Sequence, residues 1–160
     1  SIGRYFTEMI DPKMNWDDVA KMVDYWDGEF CLKGIMSAED AKKAVEIGCT
    51  GIVVSNHGGR QLDGSRSSFD QLSEIVDVVG DQIDVIMDSG IQRGSHVLKA
   101  LSLGAKAVGG GRFYLYALAA AGQLGVERAL ELMKQEIERD MRLMGVSSIS
   151  ELSRNNLRFR

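Results

Sequence analysis

The chain has only two cysteines, fewer basic than acidic residues and no long apolar run. Each of these features excludes a class of protein function. Its two cysteines have no second cysteine or histidine at metal-ligand spacing, so we expect buried, reduced thiols and no metal site. A formal net charge of −4, with Lys and Arg scattered among acids, leaves no basic stripe for nucleic acid. No apolar stretch approaches the roughly 20 residues that span a membrane, and no signal peptide is visible. We therefore expect a cytoplasmic protein.

Short apolar runs alternate with helical patterns along the chain. The runs fit parallel strands buried on both faces, and they cover residues 30–35, 51–55, 84–88 and 105–110. The helical patterns cover residues 15–25, 37–47, 68–79, 95–103 and 126–143, with a short segment over 148–152. This order predicts an α/β fold.

An internal repeat indicates the kind of α/β fold. Residues 41–56 align without a gap with residues 97–112, an offset of two βα units. Such a repeat is typical of a (βα) barrel or a related layered fold. A full barrel needs about 250 residues and eight strands, and this chain offers only four. We therefore expect residues 1–160 to form half of one barrel domain, with its first half elsewhere and residues 1–14 as a loop or strap.

Polar residues follow each predicted strand, where barrels and open parallel sheets place their chemistry. These residues are Lys33, Ser55, Asn56, His57, Arg60, Asp88, Ser89, Gly90, Gly111 and Arg112. Neutral His57 is a base near pH 7, and Arg60 can grip a carboxylate bidentately. The pair suits an enzyme that removes a proton beside a small carboxylate. Segment 88–94 leads into the start of a helix, and segment 109–112 exposes backbone N–H groups beside a cation. Both features suit the binding of a phosphate.

Four motifs resemble those of the FMN-dependent α-hydroxy-acid oxidoreductases. They are Leu32-Lys33-Gly34, residues 55–63 (SNHGGRQLD), Asp88-Ser89-Gly90-Ile91 and Gly111-Arg112. The family includes glycolate oxidase, L-lactate dehydrogenase, mandelate dehydrogenase and flavocytochrome b2. The resemblance covers nearly the whole chain in the right order. It implies a TIM (β/α)8 barrel of which this chain is the C-terminal half, with strands five to eight and their helices.

The resemblance also implies a role for each site residue. His57 would be the catalytic base, Arg60 the carboxylate clamp, and Lys33 the cation beside the flavin N1 and O2 edge. The residues implied in FMN binding are Lys33, Ser55, His57, Gly58, Asp88, Ser89, Gly90, Gln92, Arg93, Gly111 and Arg112. One departure stands out, because the family usually has arginine where this chain has Gln92. Either Arg93 or Arg112 then carries more of the phosphate charge, or FMN is held less tightly.

The implied reaction oxidises an L-2-hydroxy acid to a 2-keto acid while FMN is reduced. Lactate is favoured as substrate, then mandelate or glycolate. His57 would take a proton from the hydroxyl during hydride transfer, or from the α-carbon in a carbanion route. The aspartate that supports the histidine, the substrate-contacting tyrosines and the first flavin-binding strands belong to the N-terminal half of the barrel. Another chain or segment must supply that half, and the family favours tetramers of the complete enzyme.

Two alternatives stay open at this point. The chain could be a non-catalytic half-barrel module that keeps a flavin or phosphate site. It could also belong to another FMN barrel enzyme, such as an isomerase or a modifier of a peptide-derived cofactor, because related barrels reuse the flavin site. Peripheral attachment to the inner face of the cell membrane stays open as well.

Overall fold

A computed structural model describes the fold of Met9 and residues 11–158. Five α-helices lie in this part: α1 Trp16–Trp26, α2 Ala38–Glu46, α3 Ser68–Val79, α4 Gly94–Ser102 and α5 Gly111–Met144. The strands are β1 Cys31–Ile35, β2 Gly51–Val54, β3 Asp84–Met87 and β4 Ala107–Val108. Short 3₁₀ turns cover His57–Gly59, Ile149–Glu151 and Arg154–Asn156. The predicted α/β alternation is confirmed.

All neighbouring strands pair in parallel, in the order β1-β2-β3-β4. Because the spatial order equals the chain order, every helix connection advances by one strand in the same direction, as in a (β/α) barrel. The carboxyl ends of all four strands therefore open on one edge of the sheet. That edge is where the polar segments after each strand meet.

The core lies between the sheet and helices α2 to α4. Ile52 and Met87 from the strands, with Leu72 and Ile75 from α3, are among the largest fully buried side chains of the described residues. Burial of each such side chain contributes roughly 1.5–3 kcal/mol. The packed core thus holds the strand ends, and the loops that follow them, in fixed positions.

The structure corrects three sequence expectations. The last strand spans only Ala107–Val108, shorter than the predicted 105–110. The last helix begins at Gly111, far ahead of the predicted 126, because residues 112–121 are mostly strong helix formers; it bends at Gly122, which has a φ of 58°. Cys31 is exposed although Cys49 is buried, since β1 pairs with a strand on one side only within the described residues.

Two further expectations concern the amino-terminal segment and the membrane. Of the predicted loop or strap over 1–14, only Met9 and residues 11–14 are among the described residues. Within the described part of the chain, no helix combines the length and the apolar character that crossing a bilayer requires.

Candidate active site

One cavity of about 360 Å³ lies at the carboxyl edge of the sheet. It is lined by every residue predicted for catalysis or FMN binding except Ser55 and Arg93, and Asn56 also lies outside its lining. Gln61, Ile91, Phe113 and Leu115 complete the lining. Residues that are far apart in the sequence thus converge on a single concave site, which is the usual form of a small-molecule site.

The turn that carries His57 has an unusual backbone. His57, Gly58 and Gly59 have successive φ values of 53°, 67° and 73°, all in the left-handed region. Such a conformation costs a residue with a side chain roughly 1–2 kcal/mol. Asn56 stabilises it, since its side-chain oxygen accepts a 2.9 Å hydrogen bond from Gly58 N and its carbonyl accepts one from Gly59 N at 3.0 Å. The turn places His57 and Arg60 together at the cavity.

Lys33, Ser55 and Asp88 form a polar cluster at the floor of the site. Lys33 Nζ donates to Ser55 Oγ and pairs with Asp88 Oδ2, both at 2.9 Å. Burial opposes ionisation of Asp88, but hydrogen bonds from Ser55, Lys33 and Ser89 and the charge of Lys33 outweigh it and lower its pKa below the usual range. The carboxylate therefore stays ionised. Ser55 is itself buried, and its Oγ also accepts a 3.2 Å hydrogen bond from His57 N.

Gly34 packs directly against the imidazole of His57. A Cβ at this position would lie 3.0 Å from His57 Nε2, and the φ of Gly34 is +95°. The β1-β2 register shifts between Lys33 and Ile35, so Gly34 forms an irregularity in β1. Glycine meets both requirements, because it tolerates the positive φ and leaves room for the ring.

The charges and open space of the cavity suit an anionic ligand. Lys33, Arg60 and Arg112 line it against the single carboxylate of Asp88. Arg60 is exposed, and among the described residues its side chain has neither a hydrogen bond nor an ion pair. At Gly90 and Gly111 an added Cβ would meet nothing within 4 Å, so the backbone there faces open space. These features fit a flavin mononucleotide, which brings a phosphate and a large ring.

Arg112 reaches from the start of α5 to the turn that carries His57. Its Nη2 donates to the carbonyl oxygen of Gly58 at 2.8 Å. The approach is close enough that a Cβ on Gly58 would lie 2.5 Å from the same nitrogen. The φ of +67° favours glycine at position 58, and a larger residue there would also displace the Arg112 guanidinium from the Gly58 carbonyl.

Arg93 lies outside the cavity, where it pairs with helix α5. Its guanidinium contacts Glu136 with Nε–Oε2 and Nη2–Oε1 distances of 3.0 and 2.6 Å. Glu136 Oε2 also accepts a 2.8 Å hydrogen bond from Gly94 N, at the first residue of α4. These bonds, with that from Arg93 first, lower the pKa of Glu136. A protein carboxylate thus already occupies the start of the helix that segment 88–94 was expected to offer to a phosphate.

Sequence reasoning missed Gly34 and Glu136 as contributors to the site. Gly34 had a local signal, because a glycine inside a strand pattern often marks an irregularity or a close approach. Glu136 had none, since it lies 43 residues from Arg93 in the sequence. Contacts of that kind depend on how helices pack, and periodicity does not report them.

Comparison with known proteins gives the same assignment as the motifs. The family model described as FMN-dependent dehydrogenase matches residues 1–159. An L-lactate dehydrogenase of Vibrio cholerae is 48% identical over 147 residues, which are 92% of this chain and 39% of the relative. A pre-mycofactocin synthase of Mycolicibacterium smegmatis is 48% identical over 141 residues, 88% of this chain and 35% of the relative.

Solved structures of similar fold belong to enzymes of the same kind. A soluble mutant of the membrane-associated (S)-mandelate dehydrogenase from Pseudomonas putida superposes with a TM-score of 0.90 at 41% identity, over 94% of this chain and 43% of that one. The chain therefore spans about two fifths of the length of these relatives. The TIM-barrel fold class is confirmed, with this chain forming a partial α/β half-barrel. The chain belongs to the FMN-dependent dehydrogenase family.

Proposed function

We propose that this chain is the C-terminal half of an FMN-dependent enzyme that oxidises an L-2-hydroxy acid to the 2-keto acid. L-Lactate is the favoured substrate, followed by mandelate and glycolate. The observation that carries the proposal is the single turn that brings His57 and Arg60 to one cavity, with Lys33 on the same lining. A base and an arginine cation at this spacing suit a small acid whose reacting carbon lies next to its carboxylate.

Each residue of the chain has a distinct task in this proposal. Arg60 binds the substrate carboxylate bidentately and so orients the C2 carbon. His57 accepts the proton of the hydroxyl, or that of the α-carbon in the carbanion route. Lys33 supplies positive charge, and its ammonium group stays anchored by Ser55 and Asp88. FMN, when bound, accepts the two electrons that leave the substrate.

The residues proposed to hold FMN fall into two groups. Lys33, Ser55, His57 and Gly58 lie at the ring end. The ribityl and phosphate end has Asp88, Ser89, Gly90, Gln92, Gly111 and Arg112. Since Glu136 pairs with Arg93, Arg112 supplies most of the arginine charge that this chain offers to the phosphate. Arg93 contributes only where a phosphate competes with that carboxylate.

The remaining parts of the enzyme lie outside this chain in the proposal. The N-terminal half of the barrel comes from another chain or segment, which fits the two fifths of the relatives' length that the chain spans. The complete enzyme assembles as a homotetramer. It acts in the cytoplasm, and peripheral attachment to the inner membrane face is the alternative location, as one structural relative is described as membrane-associated.

A second candidate function has a specific observation behind it. The relative named pre-mycofactocin synthase is as identical to this chain, at 48%, as the L-lactate dehydrogenase of Vibrio cholerae. The chain could thus serve an enzyme that modifies a peptide-derived compound with the same flavin site. A half-barrel that binds flavin without turnover is the third alternative.

The test is anaerobic reduction of the flavin in the complete protein, purified with the segment that completes the barrel. L-Lactate, L-mandelate and glycolate are added separately, and the flavin absorbance is followed. We expect bleaching by at least one acid and, in a His57→Gln variant, bleaching slower by about 10²–10⁴-fold. A flavin spectrum that none of the acids bleaches would contradict the proposal and favour the alternatives.

Arg60 provides a matched test of the carboxylate clamp. Arg60→Lys keeps the charge but loses the planar fork, so we expect KM for the favoured acid to rise by roughly 10-fold or more. Arg66→Lys, on the same loop but outside the cavity lining, is the control and should leave KM unchanged. Equal effects of the two variants would refute a specific contact between Arg60 and the carboxylate.

A further inference from the structure

We infer that Ser89 is a positioning residue. Its hydroxyl holds the turn that carries His57 in place and does not contact the cofactor. This inference rests on the proposed function. Ser89 follows β3, whereas His57 follows β2, yet Ser89 Oγ accepts a 3.0 Å hydrogen bond from Gly58 N, the amide next to His57. The same Oγ donates to Asp88 Oδ1 at 2.9 Å.

The hydroxyl of Ser89 has no donor left for a ligand. A serine hydroxyl carries one O–H donor and two acceptor sites. Asp88 takes the donor, and the depressed pKa of Asp88 keeps the acceptor carboxylate charged. Gly58 N takes one of the acceptor sites. The interactions of this side chain are thus largely within the protein, although the residue lines the cavity.

The bonds of Ser89 close a ring that begins and ends at the catalytic turn. Its members, in order, are His57 N, Ser55 Oγ, Lys33 Nζ, Asp88, Ser89 Oγ and Gly58 N. Strand β1, through Lys33, is joined in this way to the loops after β2 and β3. The position of the His57 backbone is therefore coupled to Lys33 from both sides.

Two side chains from beyond β2 and its loop reach the Gly58 backbone, and their duties differ. Arg112 binds the Gly58 carbonyl at 2.8 Å, but it is also the cation proposed for the phosphate. The Ser89 hydroxyl binds the Gly58 amide and, unlike Arg112, carries no charge that an anion would engage. The amide of Gly58 also donates to Asn56 Oδ1 at 2.9 Å, within the loop after β2, so the Ser89 hydroxyl is the tie to the loop after β3 that persists when an anion engages Arg112.

The backbone of Ser89 supports the same inference. Its φ is 72°, a left-handed value that is unfavourable for a residue with a side chain. Glycine at this position would relieve the strain. A serine that retains it must gain from its hydroxyl, and the two bonds to Asp88 and Gly58 are the gain that the structure shows.

The test compares Ser89→Gly and Ser89→Ala in the complete protein, with Ser102→Ala as control. Ser102 is buried whereas Ser89 is partly buried, and within the described part of the chain the Ser102 hydroxyl has no hydrogen-bond partner. Glycine removes the hydroxyl and the strain, whereas alanine removes only the hydroxyl. Three quantities are measured: hydrogen exchange of the peptide over residues 55–62, kcat/KM for the favoured acid, and the dissociation constant of FMN.

We expect both Ser89 variants to behave alike. Because the Gly58 amide keeps its bond to Asn56 Oδ1, its exchange should quicken by only about two- to threefold, the lower end of what one hydrogen bond contributes. kcat/KM should fall by about tenfold, since a small misplacement of a catalytic group is costly. The affinity for FMN should change by less than about twofold, because the hydroxyl donates nothing to it. The Ser102→Ala variant should match the parent in all three quantities.

Several results would overturn the inference. The first two are unchanged exchange at the Gly58 amide in the Ser89 variants, and faster exchange there without a loss of kcat/KM. The third is a loss of FMN affinity as large as the loss of kcat/KM. The fourth is a Ser89→Gly variant that behaves like the parent while Ser89→Ala is impaired. Failure of the proposed function is distinguishable, because the parent protein itself would then not be reduced by any L-2-hydroxy acid. The exchange and FMN measurements do not require turnover and would still decide on Ser89.

Discussion

A methyl group at Gly34 probes how closely the sheet supports the imidazole of His57. In Gly34→Ala the new Cβ would lie 3.0 Å from His57 Nε2, closer than a relaxed contact, and the backbone would keep its φ of +95°. The backbone conformation alone costs roughly 1–3 kcal/mol for a residue other than glycine. The contact adds a displacement of the ring by a few tenths of an ångström. We therefore expect both lower stability and lower turnover.

Gly64→Ala is the matched control, because Gly64 has a φ of +76° and an added Cβ there would meet nothing within 4 Å. Both variants carry the backbone strain, so both should lower the free energy of unfolding, measured by denaturant titration of the complete protein. Only Gly34→Ala should also lower kcat, by about tenfold, since the ring moves away from its productive position. Equal kcat values in the two variants, at equal loss of stability, would refute the packing of His57 against Gly34.

Three further variants test other parts of the site. Asp88→Asn removes a carboxylate whose pKa is lowered by folding. The stability that Asp88 contributes should therefore be present above its unfolded pKa of about 3.9 and be lost as pH falls through the lower folded pKa. Denaturant titrations at neutral and acid pH should show that the difference in unfolding free energy between variant and parent shrinks in acid. The same variant should leave Lys33 without its ion-pair partner. Glu136→Gln weakens the acceptor at the start of α4 and should lower the free energy of unfolding by about 1 kcal/mol, whereas Glu138→Gln, on the same helix, should have little effect; thermal melts compare them. Arg112→Lys keeps the charge, but lysine lacks the guanidinium fork that could bind both the Gly58 carbonyl and the phosphate. FMN should therefore bind at least about tenfold more weakly in a fluorescence titration, and an unchanged affinity would contradict the proposal that Arg112 binds the phosphate.

The local parts of the fold could be read from the sequence because they depend on neighbouring residues. Apolar runs predicted the strands, and the SNHGG motif indicated a polar turn after β2. Boundaries were less accurate at the carboxyl end of the chain. There the Ala- and Leu-rich residues after Gly111 continue as helix, where no sharp stop signal was present until Gly122.

The composition of the site was also largely in the sequence, because parallel strands bring their carboxyl ends to one edge. This rule predicts that Lys33, His57, Asp88 and Arg112 lie together, and they line one cavity. The family motifs added an expected role for each residue. Those roles stay predictions until the variants above are measured.

Tertiary structure alone decided which of these residues bind each other. It joined Ser89 to the amide of Gly58, placed Gly34 against the imidazole of His57, and paired Arg93 with Glu136 instead of leaving it in the cavity. Such contacts depend on distances of a few ångströms between loops and helices that are remote in the chain. A sequence pattern carries the chemistry of a side chain and the period of its element, whereas the partner of that side chain is set by how the packed elements approach one another.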